Sequence, residues 1–502
     1  MTSIRYGVWL AAVLVAPAVV RAQDTVTIRG ITVGPPIQRI ATASALSTEQ
    51  IGSITSVREL ADGRVLVNDG TRRRLLIMDT TLKTVEVVLD SLSEIANTYG
   101  TRAGALIPFR GDTTLFVDPV SYAIVVLDPL GKITRVRSVW RVQDVPWFTQ
   151  TGFYGWPGVD GKGRIVYRIP AQAPRPMVMP PSGIPYIPQE PDSSFIVAVN
   201  LDTRRLDTLG AIRIPKTEMR VRRSVEGRLS IESVMNPLPT TDDWAVLSDQ
   251  RVAFVRWRDY RIDYLNVDGT WTSSAKLPYD WQRMTDDDKQ RMVDSVKTTM
   301  QRSAQTQYIS AMIRWVNMYG KSYPENFTVP EGFVLPPGMA KDWTLPKGVS
   351  FPATYIYACA PGVEPTPPGP PTTTGGAAPP GAPRAPSCLP APIIMSGGVT
   401  PPPPTVRQIN VMPAAELPDY RPPLPQGGAV RADADGNLWI RTVPARPTPG
   451  GLVYDIISPQ GELVNRLQTP PGYTLVGFGK GKIVYLSMRD ASGIHLARVR
   501  LK

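Results

Sequence analysis

Along this chain the hydrophobic and polar positions repeat one short phrase. A polar turn, most often carrying Gly, leads into alternating apolar residues: ADGRVLVND from Ala61, RGDTTLFVD from Arg110, GKGRIVYRI from Gly161, SDQRVAFVR from Ser248, ADGNLWIRT from Ala434 and GKGKIVYLS from Gly479. Alternation bounded by turn residues predicts a half-buried β-strand leaving a tight turn. A short apolar strand precedes each copy. A second phrase follows five of them: LLIMDTTLKTVEVV, IVVLDPLGKITRVRSV, IVAVNLDTRRLDTLGAI, IDYLNVDGTWTSSAKL and VYDIISPQGELVNRL. There an apolar strand ends at Asp79, Asp128, Asp202, Asp268 or Ser458 and turns into another strand. An Asp or Ser at that point accepts backbone N–H groups two residues on, and a later Gly tolerates positive φ, so these side chains are expected to be structural.

The unit is therefore four antiparallel strands recurring every 45 to 51 residues where nothing is inserted. Four-stranded sheets at that period are the pattern of propeller blades, and six copies predict an all-β, six-bladed β-propeller. The last copy supplies only three strands before Lys502, so PPIQRIATAS, Pro35–Ser44, is expected to close the ring as an outer strand. The paired phrases ADGRVLVND with LLIMDTTLK, and ADGNLWIRT with IISPQGEL, resemble the six-bladed propellers of the NHL-like and TolB-like superfamily, including uncharacterised exported members. That resemblance covers the blades and none of the insertions. It implies a fold hosting scaffolds, binding proteins and some metal-dependent lactonases, and no particular activity.

The interval between copies widens to 87 and then 186 residues around the fourth. The first excess holds a Pro- and Met-rich loop, Ala171 to Pro191, and an expected extra hairpin, MRVRRSVEGRLSIESVMNP. In the second, Thr285 before Asp286, Asp287 and Asp288 predicts a helix start, because the cap and the acids complement the free N–H groups and the dipole. Met292, Val296, Met300, Ile309, Met312, Ile313 and Val316 recur at helical spacing up to Gly320, predicting a long helix or two packed pieces whose apolar stripe docks on the propeller. Pro361 to Pro404 holds 16 Pro in 44 residues and predicts an extended spacer. The expected organisation is a signal peptide over 1–22, blades one to four with the closing strand over 23–277, the helical and Pro-rich insertion over 278–425, and blades five and six over 426–502.

Composition narrows the chemistry. The start has Arg5, an apolar run from Tyr6 to Val20 and small residues before a cut near Ala22, which predicts a secretory signal rather than a membrane span. A periplasmic or secreted product follows, and an oxidising compartment favours a Cys359–Cys388 disulfide. The formal charge of +12 points to anionic polymers, surfaces or small acids in an exported protein rather than nucleic acid. Only one His exists, His495, so His-rich metal sites and Ser-His-Asp catalysis have almost no material, and no cofactor is expected.

Chemistry is expected on the face formed by the second-to-third strand loops and the connections between blades. The loops supply Arg72, Arg256, Trp257, Arg258, Asp259, Tyr260, Arg441 and Arg446, and the connections Tyr99, Arg102, Trp156, Tyr420 and Arg421. Forked guanidiniums beside aromatic faces suit anions, sugars or a protein partner. The expected function is non-catalytic binding of a protein, glycan or anionic ligand on this face. The alternative is a metal-dependent lactonase-like hydrolase drawing on Asp69 and Asp118, although Arg168, Arg256 and Arg441 stand near that level in later copies.

Overall fold

A computed structural model of the chain describes residues 26–28, 31–91, 98–170, 191–215, 218–223, 229–319, 327, 403–404, 409–424, 427–444 and 448–501. The expected signal peptide, almost all of the Ala171–Pro191 loop, Gly320, Cys359, Cys388, Arg446 and Pro361–Pro402 lie outside these residues. The chain divides into two compact units, one of Met1–Ile231, Leu238–Thr285 and Leu417–Lys502, the other of Glu232–Pro237 and Asp286–Glu416.

The first unit is mostly β. Its sheets of four or five strands are numbered here in chain order. Sheet one is Ile54–Glu59, Val65–Asp69, Arg74–Met78 and Val85–Asp90, and sheet two is Ala105–Pro108, Thr114–Val117, Ala123–Leu127 and Ile133–Ser138. Sheet three is Gly158–Val159, Ile165–Pro170, Ser193–Val199 and Leu206–Arg213, and sheet four is Asp243–Val246, Val252–Arg256, Arg261–Leu265 and Trp271–Ser273. Sheet five holds Val430–Ala432, Leu438–Thr442, Val453–Ile457 and Leu463–Gln468; sheet six holds Tyr473–Gly479, Ile483–Asp490 and Gly493–Arg500. Successive strands within each sheet pair antiparallel.

N-terminal residues extend the last two sheets. Ile37–Arg39, inside the segment expected to complete sheet six, runs parallel to Leu463–Gln468 of sheet five. The partner of sheet six lies just downstream: Ala45 and Leu46 pair with Arg498 and Ala497, and the Ser44, Ser47 and Ile51 amides donate to Arg498, Leu496 and Ile494 carbonyls.

Each sheet buries both faces, and the reason is visible in the central strands, which are apolar on both sides of the pleat. Leu66 and Leu75 of sheet one pack against Phe116 and Leu127 of sheet two. Ile107 and Leu115 then meet Ile165 and Tyr167, and Val166 meets Trp244 and Phe254. Val255 and Ile262 of sheet four meet Ile440 and Ile457, while Trp439 and Ile456 meet Val484 and Leu486. Tyr485 and Leu496 of sheet six share a cluster with Val67 and Leu76 of sheet one. Each fully buried Leu or Ile contributes about 1.5–3 kcal/mol, so these seams hold the unit together.

Turn chemistry follows the sequence closely. Asp79 and Asp128 accept the amides of Lys83 and Lys132, Asp268 that of Thr270, and Ser458 that of Glu462. Hydrogen bonds from Thr270 hold the Asp268 carboxyl below its usual range. The third copy differs: Asn200 caps the turn, leaving Asp202 to pair with Arg137.

In the second unit, Asp286–Tyr319 is one helix. Ile309, Met312, Ile313 and Val316 are buried around Phe327. In its polar middle Thr298, Thr306 and Ser310 return their hydroxyls to the carbonyls of Asp294, Arg302 and Thr306 four residues back. The expected extra hairpin corresponds to strands Glu218–Arg223 and Leu229–Met235. No helix among the described residues is long and apolar enough to cross a membrane.

Candidate functional site

The loop-face candidates fall into separate groups, most of them committed to partners within the chain. Arg256 donates to Asp263 at 2.8 Å and to Asp242 at 3.0 Å, and Asp242 also accepts the Trp257 amide. Trp257 packs against the core seam between sheets four and five. Asp259 pairs with Arg261 and Lys276. Tyr260 is fully buried, its hydroxyl donating to Asp455 at 2.6 Å, while Arg466 holds the other carboxylate oxygen at 2.9 Å. Burial raises the Asp455 carboxyl.

Tyr99 is also buried. It donates to Asn68, accepts the Gly104 amide, and is pushed up to about 12 by burial. Arg72 donates to the Gln50 carbonyl at 2.5 Å. Arg102, Arg258 and Tyr420 are exposed, whereas Arg421 and Arg441 are half-buried. The Asp69 carboxylate accepts the Gly52, Ser53 and Arg72 amides and the Arg74 guanidinium, and Asp118 accepts Val120 and Ser121. Arg168 is buried against Ser194, and burial lowers its pKa. Among the described residues no cluster of three His, Cys, Asp or Glu could hold a metal ion.

A deep concavity opens at the other end of the strands. It encloses about 740 Å³ and takes its lining from the first strand of every one of these sheets, among them Val57, Leu106, Val159, Val246, Ala432 and Phe478. Its rim is made by the first-to-second strand turns, including Gly111, Gly161, Ser248 and Ala434. First strands converging on one channel, each followed outward by the rest of its sheet, are the mark of radial repetition.

The fold is a β-propeller. Two arginines in the channel occupy the same repeat position, five residues before a turn glycine: Arg58 before Gly63 and Arg431 before Gly436. Arg58 donates to Thr114 at 2.8 Å, and burial lowers its pKa. Arg431 reaches across the channel, 3.9 Å above the Trp156 ring and 5.2 Å from that of Phe478. Its Nη atoms donate to the carbonyls of Leu475 and Val476 at 3.2 and 3.1 Å, and burial pulls its pKa down to about 10. Trp156 Nε1 is buried with no acceptor.

The lining carboxylates are already engaged. Glu59 accepts the Lys480 amide and Tyr485 hydroxyl, Asp160 the Lys162 and Arg164 amides, and Asp433 the Asn437 amide and Trp439 indole. Asp112 lies 3.8 Å from Lys480. Arg110 donates to the Gly163 carbonyl at 2.7 Å; the backbone of Gly163 is left-handed, at φ +66°, and a Cβ there would push the guanidinium aside. His495, the one imidazole, lies away from the cavity, bonded to Ser47 and Ser492. Among the described residues of the expected ligand set, Trp156 alone lines this cavity. Arg431, Arg58 and Phe478 were not in that set, and the repeat-matched arginines were their visible signal.

No protein-family model and no curated protein matches the sequence. Among solved structures the chain is similar to a gluconolactonase from Xanthomonas campestris, at 11% identity over 93% of this chain and 98% of that one, with a TM-score of 0.33. It is also similar to a streptogramin B lyase, at 12% identity over 46% and 85% with a TM-score of 0.22. A third likeness is to an exported protein from Bacteroides fragilis, at 10% identity over 48% and 54% with a TM-score of 0.26. At these scores the likenesses say nothing about activity.

Proposed function

We propose that this chain is an exported, non-catalytic six-bladed propeller that binds a small ligand in the channel cavity at its turn face. The observation that carries the reading is the 740 Å³ cavity itself, walled by first strands and furnished with hydrogen-bond donors while its carboxylates are largely occupied. A concave site with apolar walls and a few convergent polar groups is the usual form of a small-molecule pocket. Six blades are supported by the six apolar seams, the last of which joins sheet six to sheet one. Closure by an N-terminal strand is supported by the pairing of Ala45 and Leu46 with the C-terminal strand. The helical and Pro-rich insertion separates blades four and five, and the loop face is left to contacts with a protein or glycan through Arg258, Arg102 and Tyr420.

Ala432 lines the cavity and also packs on the seam between sheets four and five, so a folded Ala432→Trp carries its extra bulk into the channel wall. In a thermal-shift screen of small metabolites, compounds that stabilise the wild type should lose that effect in Ala432→Trp, because only binding to the native state raises the midpoint. Stabilisation retained in a folded Ala432→Trp would sink the reading.

A further inference from the structure

We propose that the channel cavity takes a small carboxylate with a flat apolar body, its carboxylate gripped by Arg431 and Trp156; this rests on the cavity being the ligand site. The argument starts from unfilled donors. A guanidinium has five N–H bonds. Two of those on Arg431 go to the Leu475 and Val476 carbonyls, and among the described residues no carboxylate pairs with it, which leaves three without a protein acceptor there. Trp156, stacked on the same guanidinium and lining the cavity, carries an indole N–H that is buried and has no acceptor among the described residues, so a ligand oxygen reaches it once the ring shifts to admit one. A buried donor left unpaired costs about 1–3 kcal/mol, which an incoming oxygen removes.

The charge is unpaired as well. Removal of Arg431 from water lowers its pKa, so an anion that restores the lost stabilisation is favoured over a neutral amide of the same shape. The planar fork suits a carboxylate, which can take two parallel bonds. Val57, Leu106, Val246 and the Phe478 ring supply flat apolar walls for the rest of the molecule. Carboxylates that could compete for Arg431 are held elsewhere: Glu59 by Lys480 and Tyr485, Asp433 by its own turn and Trp439.

The probes are 2-naphthoate and its neutral isostere 2-naphthamide, titrated into the purified full chain and followed by calorimetry. Naphthoate should bind at least tenfold more tightly than naphthamide. Arg431→Met should abolish that preference, and Trp156→Phe, which keeps a ring and deletes the donor, should weaken naphthoate several-fold with little effect on naphthamide. Arg431→Lys retains charge without the fork and should fall between wild type and Arg431→Met; should Arg431→Met not fold, Arg431→Lys binding naphthoate as tightly as wild type overturns the fork. Equal affinity for both probes, or no binding of naphthoate at millimolar concentration, overturns the assignment. Ala432→Trp separates the two ideas. If it blocks both probes and they bind equally, the cavity stands and the anion falls; if it blocks neither, the cavity itself is the wrong site.

Discussion

Trp257, Arg258, Asp259 and Tyr260 are consecutive, yet they meet four different environments. Trp257 packs on the core, Arg258 is in solvent, Asp259 sits in a surface ion-pair group, and Tyr260 is buried on Asp455. The sequence shows a loop rich in binding chemistry, but Asp455 lies 195 positions away and nothing local announces it. Tyr260→Phe should therefore cost about 1–3 kcal/mol in urea unfolding, the loss of a donor to a buried carboxylate, whereas Arg258→Ala should change stability by about 0.5 kcal/mol or less. Asp243 offers a test by pH. Its carboxylate is 1% exposed, accepts the Val430 amide with one oxygen and leaves the other unpartnered, and burial raises its pKa to about 6 from 3.8. The folded state then holds this proton more tightly than the unfolded one, so the group's contribution is full below about pH 4 and is lost as pH rises to about 6. The loss is at most about 3 kcal/mol. The stability of Asp243→Asn relative to wild type should be greater at pH 7 than at pH 4. A difference independent of pH would mean that Asp243 stays ionised throughout.

Strands and turns were the most legible elements, because their chemistry is local. An Asx or Ser turn needs an acceptor and amides two to four residues on, all written in one short phrase. The Asn200 turn shows the limit of that reading: Asp202 was the expected acceptor, but Asn200, two residues earlier, takes the Asp202 and Thr203 amides and starts the turn instead. Asp433 is the turn residue whose loss should matter most. It accepts the amides of Asp435 and Asn437 and also the indole of the buried Trp439. Asp433→Ala should destabilise by about 1–3 kcal/mol, against under about 1 kcal/mol for Asp268→Ala, whose turn is exposed; chemical denaturation of both variants checks the contrast. The helix over Asp286–Tyr319 was legible from its acids and its apolar spacing. Its stripe was less so: the buried apolar positions are Val293 and then Ile309, Met312, Ile313 and Val316, the last four around Phe327, while Met292, Val296 and Met300 remain half-buried.

For the molecule as a whole, sheet composition could be read in the sequence and the choice of mouth could not. Aromatic and arginine residues concentrate in the longer loops, so their chemistry points to one face in the sequence. The cavity is set instead by how far first-strand side chains reach into the channel, and that depends on the radius at which the sheets meet. Deleting residues 37–51, which pair with sheets five and six, should expose an edge of sheet six and cause aggregation or a large fall in the unfolding midpoint; unchanged thermal unfolding would refute the pairing. That pairing also sets a timetable for biogenesis. The Ser44 hydroxyl bonds to the Arg498 carbonyl across 454 positions, so the sheet holding both cannot be completed until Arg498 has left the ribosome. Until Gly493–Arg500 has emerged, Ala45 and Leu46 have no strand to pair with and that edge stays open.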